Sequence, residues 1–237
     1  MIEITGLKKR FGNLEVLNGI DARIEPGRVT GIVGPNAAGK TTLIKSILGL
    51  TRRDSGNILV DGTKVNGDES YRADIGYMPQ IARFPSNLTG GELLAMLKDL
   101  RRDAARVDES LMDEFGLRGE LDKKLNNLSG GTKQKINAVA AFLFDPRLLI
   151  LDEPTAGLDP RSSSILKDRI ARDREKGKTF IITSHIMAEL EELADDVIFI
   201  GDGRVKFSGS IREIIALTRQ VNLERAIAEL MDRSAAA

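Results

Sequence analysis

Short apolar runs, each broken by glycine or proline, open the chain. IEI, VLNGIDARIEPG and RVTGIVG fill much of residues 1–33. Their alternation of apolar and polar positions predicts strands. The period then changes: TTLIKSILGL spaces its apolar residues as a helix does and ends at Gly49. SGNILVDGTKV reads as a further hairpin and DIGYM as a short strand. From Ser86 the chain is rich in Leu, Ala and charge, and NLTGGELLAMLKDLRRDAARVDESLMDEFGL reads as helical. Thr89 and Glu92 have capping-box spacing for its first helix. This helical insert is expected to continue to about Asn127.

LSGGTKQKINAVAAF follows, a Ser-Gly-Gly turn feeding a helix. RLLILDEP predicts a buried strand, SSSILKDRIARDREKG a helix stopped by Gly177, and KTFIITSH another strand. IMAELEELA predicts a helix, DDVIFIGDGRVKFSG a strand and hairpin, and NLERAIAELMDRSAAA a terminal helix. Alternating strands and helices predict an α/β protein whose mostly parallel sheet is covered on both faces. No internal repeat or low-complexity segment interrupts the pattern.

Composition narrows the function classes. The 237 residues suffice for one large domain or two small ones. Lys plus Arg and Asp plus Glu both number 35, so the formal net charge is zero. Neither a nucleic-acid partner nor an anionic membrane surface is expected from that balance. There is no cysteine, which excludes disulfides and thiolate metal sites. The N-terminus, MIEITGLKKRFG, is charged at once and lacks the apolar core of a signal peptide. AVAAFLF and LLIL are far shorter than the ~18–20 residues that span a bilayer. Any membrane connection is expected to come through a partner.

The chemistry concentrates in a few motifs. GPNAAGKT, between a predicted strand and a predicted helix, fits G-x-x-x-x-G-K-[ST]. Gly34 and Gly39 would let the loop Pro35-Asn36-Ala37-Ala38 bend around phosphates, with the backbone N–H groups of Asn36, Ala37, Ala38 and their neighbours as donors. Lys40 would reach the outer phosphates, Thr41 would ligate Mg²⁺, and Thr42 continues the motif. At the end of RLLILDEP, Asp152 is the second candidate Mg²⁺ ligand and Glu153 a general base that polarises water. His185, the only histidine, follows a third apolar strand and could touch a γ-phosphate or orient the water. Gln80 follows DIGYM and could ligate Mg²⁺ or meet the water. The Ser129-Gly130-Gly131 turn is itself shaped to hold an anion. One chain thus carries two anion cradles.

In this order, from about Ile2 to Gly209, these motifs resemble the ATP-binding-cassette (ABC) ATPase family. GPNAAGKTT is similar to its Walker A loop, Gln80 to its Q-loop, and LSGGTKQK, with Leu128 to Thr132, to its signature motif. LLILDEP resembles Walker B with the catalytic glutamate, AGLD with Asp159 the D-loop, and TSH the switch histidine. Phe11 stands where the family has an aromatic that stacks on adenine. An LSGG between Walker A and an LDEP-type Walker B is specific to this family. Three residues depart from its pattern: Ala37 where glycine is usual, Thr132 where Gln or Glu is usual, and Phe11 where Tyr is more usual.

The resemblance implies a P-loop NTPase core with a mostly parallel sheet, an N-terminal antiparallel β subdomain and an inserted α-helical subdomain. It implies one ABC domain over 1–237, with 1–85 and 128–209 as core and β subdomain, 86–127 as insert and 210–237 as helical tail. It further implies an ATPase using ATP and Mg²⁺, working as a head-to-tail dimer in which each Walker A meets the partner's LSGG. Asp159 would communicate across that interface. Integral membrane permease subunits would carry the substrate, placing the chain in the cytoplasm on the inner face of the membrane. IARFPSNLT, after Gln80, would dock them through Phe84, Pro85 and Leu88. The wording around YMPQIARFPSNLT also resembles subunits linked to copper handling and nitrous-oxide reductase maturation, and the direction implied is export. The alternative is a soluble relative that drives a protein scaffold, as in iron–sulfur cluster assembly.

Overall fold

The computed structural model describes residues 1–67, 69–104 and 106–235. They form two compact units, Met1–Ala73 with Thr179–Ala237, and Asp74–Lys178.

The first unit holds two sheet portions. In one, β1 (Ile2–Phe11) pairs antiparallel with β2 (Leu14–Ile24) on one side and β4 (Ser55–Val60) on the other, with β5 (Thr63–Lys64) at the edge. Ile2 lies opposite Ile24 and Val60, and Phe11 lies opposite Leu14. In the other, β3 (Val29–Val33) runs parallel to β8 (Thr179–Thr183) and β9 (Asp196–Gly201), and β10 (Arg204–Ser210) closes antiparallel on β9. Every residue of β3 and β8 is buried, as befits parallel strands covered on both faces. Helices α1 (Lys40–Ile47), α6 (Met187–Leu193), α7 (Ile211–Thr218) and α8 (Leu223–Ala235) complete this unit. Leu43, Ile44, Phe180 and Ile198 are among its fully enclosed side chains.

In the second unit, β6 (Ile75–Met78) runs parallel to β7 (Leu148–Asp152), with Ile75 beside Leu148 and Met78 beside Leu151. Its helices are α2 (Gly90–Leu100), α3 (Ser110–Glu114), α4 (Gly130–Phe142) and α5 (Pro160–Glu175). A Cβ at Gly76 would lie 2.2 Å from the Ala141 carbonyl oxygen, so only glycine lets α4 approach β6 so closely. The capping box on α2 is present: Glu92 N donates to Thr89 Oγ1 at 3.1 Å and Thr89 N to Glu92 Oε2 at 2.8 Å. An antiparallel β portion and a parallel-rich sheet are therefore both realised.

One predicted element differs. The helical reading of 87–117 breaks after Leu100, and helix returns only as the five residues of α3. Tertiary bonds hold the chain out of helix there. Asp108 N donates to the Leu143 carbonyl at 2.7 Å, and the Asp108 carboxylate accepts from Arg169 Nη2 at 2.6 Å. The predicted terminal helix is present as α8, and α7 precedes it, ending where Arg219 turns left-handed (φ 57°).

Arg169 anchors a buried ion network. It also bonds Asp173 (2.9 Å) and Ser110 (2.7 Å) and stacks 5.2 Å from the Phe142 ring centre. Lys178 adds contacts to Asp173 (2.8 Å) and Asp145 (2.5 Å), and Asp145 meets Arg106 at 3.3 Å. Burial pushes the Asp108 carboxyl upward, but hydrogen bonds from Ser110 and Arg169 outweigh it and hold it at about 2. Among the described residues no helix is long and apolar enough to cross a membrane.

Candidate active site

The first unit carries the phosphate loop, Phe11 and His185. Strand β3 delivers Gly34 at φ 154°, where a Cβ would stand 2.2 Å from the Ile200 carbonyl oxygen. Gly39, at φ 104°, would bring a Cβ within 2.8 Å of the Val16 oxygen. Between them Pro35, Asn36 and Ala37 are exposed, while Ala38 is buried and donates its N–H to the Pro35 carbonyl at 3.2 Å. Ala37 has φ 64°. That left-handed conformation costs an L-residue about 1–2 kcal/mol.

Helix α1 then starts with a left-handed Gly39 at its N-cap and no side-chain cap. Its first N–H groups are offered to whatever enters the loop. Lys40 Nζ folds back onto the carbonyls of Gly34 (2.7 Å) and Pro35 (3.1 Å). Thr41 is exposed and Thr42 half-buried. Phe11 ends β1 with half its surface exposed (52%), its ring 5.0 Å from Lys9 Nζ. His185 lies exposed just past β8, on a turn shaped by the Ile186 N–H donating to Ser184 Oγ at 3.0 Å.

The second unit carries the acids and the other cradle. Asp152, last residue of β7, is 5% exposed. Its negative charge acts after burial in pushing the neighbouring Tyr77 phenol up to about 12. Glu153 follows at φ 55°, half-buried. A non-glycine residue there stores on the order of 1–3 kcal/mol, a hallmark of functional turns. Gln80 stands exposed two residues beyond β6.

At the start of α4, Leu128 is buried and Ser129 is the N-cap. Ser129 Oγ accepts from Thr132 N at 3.1 Å and lies 2.8 Å from the Thr132 hydroxyl. Thr132 is thus bonded back to its own cap. Ser129 and Gly130 are exposed, and a Cβ added to Gly130 would meet nothing within 4 Å. Asp159 caps α5, accepting from Ser162 N (2.9 Å) and Oγ (2.7 Å), and pairs with Lys135 at 3.0 Å. Those bonds hold its carboxyl far below the usual range.

Sequence reasoning passed over Gln134 and Asn137 on α4. Both are buried, and they donate to backbone carbonyls beside Gln80 and Glu153. The available signal was two amides three residues apart within an otherwise apolar helix face. In the segment after Gln80, Ile81 is 72% exposed. Phe84 is half-buried, and with Ala82, Leu125 and Lys133 it lines a pocket of about 130 Å³.

Among the described residues, no three His, Asp or Glu side chains cluster into a metal site. Mg²⁺ keeps several waters and is commonly held by one or two carboxylates plus substrate phosphates. The carboxylate of Asp152, the hydroxyl of Thr41 and the amide of Gln80 are all oxygen donors of the kind it takes.

A family profile described as ABC transporter matches residues 17–156. The Nod factor export ATP-binding protein I of Rhizobium sp. (strain N33) is 35% identical over 219 residues, 90% of this chain and 72% of that protein. The daunorubicin resistance ATP-binding protein DrrA3 of Streptomyces coeruleorubidus is 35% identical over 223 residues, covering 92% and 70%. Among solved structures, an ATP-binding subunit of an ABC transporter superposes with a TM-score of 0.90 at 31% identity, over 98% of this chain and 99% of the other. A dimeric ATP-binding cassette bound to ADP and Pi shares the fold, with a TM-score of 0.79 at 22% identity over 89% and 98%.

Proposed function

The chain belongs to the ABC transporter family as an ATP-binding ATPase subunit, and from that premise we propose that two copies clasp ATP head to tail to drive separate membrane permease subunits. The single observation that carries this reading is the open N-terminus of α4. Ser129 and Gly130 are exposed, and a Cβ added to Gly130 would meet nothing within 4 Å. A helix end of that kind suits a phosphate brought by a second copy.

In each copy, the phosphate loop's N–H groups hold the nucleotide, and Lys40 leaves its two carbonyls to meet the outer phosphates. Thr41, Asp152 and Gln80 would hold Mg²⁺, which neutralises phosphate charge when bound. Glu153 takes the proton of the attacking water, and His185 hydrogen-bonds the γ-phosphate. Phe11 stacks on the adenine. Leu128 to Thr132 serve the partner's nucleotide, and Asp159 relays the state of one site to the other.

ATP closes the dimer and hydrolysis reopens it. Ile81 and Phe84, beyond Gln80, carry that motion to a permease, which keeps the chain at the inner face of the membrane. The names of the relatives speak of Nod factor export and daunorubicin resistance, and export is the direction we read here. Copper handling linked to nitrous-oxide reductase maturation stays one candidate among substrate classes.

The test is Glu153→Gln. It should bind ATP and Mg²⁺ normally, lose turnover by about 10²–10⁴-fold, and accumulate as an ATP-bound dimer. Turnover at the normal rate would show that another group is the base.

A further inference from the structure

We infer that Gln134 and Asn137 are positioning residues, a buried amide pair on α4 that holds the backbone beside Gln80 and the backbone of Glu153 in one register. The inference rests on the roles proposed above for those two residues. Asn137, 2% exposed, donates through Nδ2 to the Pro79 carbonyl at 2.8 Å and to Gln134 Oε1 at 3.3 Å. Gln134, 8% exposed, donates through Nε2 to the carbonyls of Glu153 (3.4 Å) and Pro154 (3.5 Å). The bonds form one chain, from the residue before Gln80, through two amides, to the residue proposed as general base.

Chemistry fixes the direction of that chain. Carbonyl oxygens only accept, so the NH₂ end of each amide must face them. Gln134 Oε1 is then left to receive Asn137, and no other orientation satisfies all three partners. Each tethered carbonyl also lies where the backbone is unusual. Pro79 has no N–H with which to pin the turn before Gln80. Glu153 sits at φ 55°, a conformation that persists only when its surroundings enforce it. The same helix begins at Ser129, one turn before Gln134. A shift of α4 therefore reaches Gln80 and Glu153 together. The tie is short at Pro79 and long at Glu153, so the Gln80 side is held more firmly.

The test uses the full chain with Asn137→Leu and Gln134→Met, which keep volume and remove the donors. The readouts are kcat, KM for ATP, the Mg²⁺ concentration for half-maximal turnover, and the melting temperature. Asn137→Leu should lower kcat and raise the Mg²⁺ requirement by about 10–100-fold, the usual effect of losing an outer-shell partner, with KM within about twofold. Gln134→Met should do the same more weakly. The double variant should cost no more in kcat than Asn137→Leu alone, because one break severs the chain. A purely structural pair would lower the melting temperature and leave kcat and the Mg²⁺ requirement of the folded enzyme untouched. That result, or additive losses in the double variant, overturns the inference. If Asn137→Leu does not fold, Asn137→Ser, too short to reach Pro79, is read by the same criteria. Glu153→Gln assayed alongside separates the two failures. Normal turnover in that variant removes the base assignment. An inactive Glu153→Gln beside an unaffected Asn137→Leu removes only the amide pair.

Discussion

The two helix N-termini that offer themselves to anions are built differently. Helix α1 begins with a left-handed glycine, no side-chain cap and a lysine folded onto the loop's own carbonyls. Helix α4 begins with Ser129, whose hydroxyl already satisfies Thr132 N and is bonded to the Thr132 hydroxyl as well. The first end has no side-chain acceptor at its cap, so an anion can take that place. The second end has one donor, Thr132 N, already satisfied by its own cap, and offers the exposed Ser129-Gly130 turn for the rest. A cap of that kind is worth about 1 kcal/mol. The contrast suggests an order of events, with nucleotide settling first on α1 and the second copy's α4 closing over it afterwards.

The largest effect should separate the two ends at their glycines. Gly34→Ala forces a methyl to within 2.2 Å of the Ile200 carbonyl oxygen and demands a strained φ. ATP affinity measured by calorimetry should fall by about 100-fold or more, roughly 3 kcal/mol. Gly130→Ala, with nothing near its Cβ, should leave nucleotide binding by the isolated chain unchanged. Equal losses in both would erase the distinction.

Ser129→Arg should come next. It places bulk and charge at the α4 end, so in a Glu153→Gln background ATP-driven dimers should disappear from light scattering while each chain still binds nucleotide. If the dimer forms as before, the α4 end does not face a partner's phosphate.

Ala37→Gly sharpens the comparison from the other side. The left-handed penalty at φ 64° is already present without nucleotide, so removing it should add up to about 1 kcal/mol of stability in a thermal melt and leave ATP affinity within about twofold in a fluorescence titration. Fivefold or greater tightening would mean that nucleotide drives Ala37 into a backbone conformation costlier for alanine than the one at φ 64°. The smallest discrimination belongs to Phe11, whose half-exposed ring can read a purine only by stacking. GTP should bind within about tenfold of ATP, and Phe11→Ala should weaken both alike. A thousandfold preference would point to hydrogen bonds that read the base.

Much of this was legible in the chain because it is local. The capping box of Thr89 and Glu92, the apolar strands VTGIV and LLILD, and the glycine stops at Gly49 and Gly177 depend on neighbours within a turn. What stayed hidden is long-range. The helical pattern of residues 101–109 yields to bonds with Leu143 and Arg169, which no periodicity encodes. Asp159 was read by resemblance as a residue of the interface. Its Asp-Pro sequence was also the signature of a helix cap, and the structure gives it that local task. Gln134 and Asn137 were passed over because their partners are backbone carbonyls, which leave no mark on a sequence.

The Arg169 network has a consequence for how this sequence can change over time. Two cations, Arg169 and Lys178, face three anions, Asp108, Asp145 and Asp173, and Asp173 is fully enclosed. Deleting one member of a buried set strands its partner's charge at about 3–5 kcal/mol, whereas exchanging the set for matched apolar residues can be nearly neutral. Single-step drift is therefore blocked at these positions, and the short α3 is inherited as a block together with the helix that carries Arg169. Among relatives, these five positions should be retained together or lost together, with few lineages caught in between.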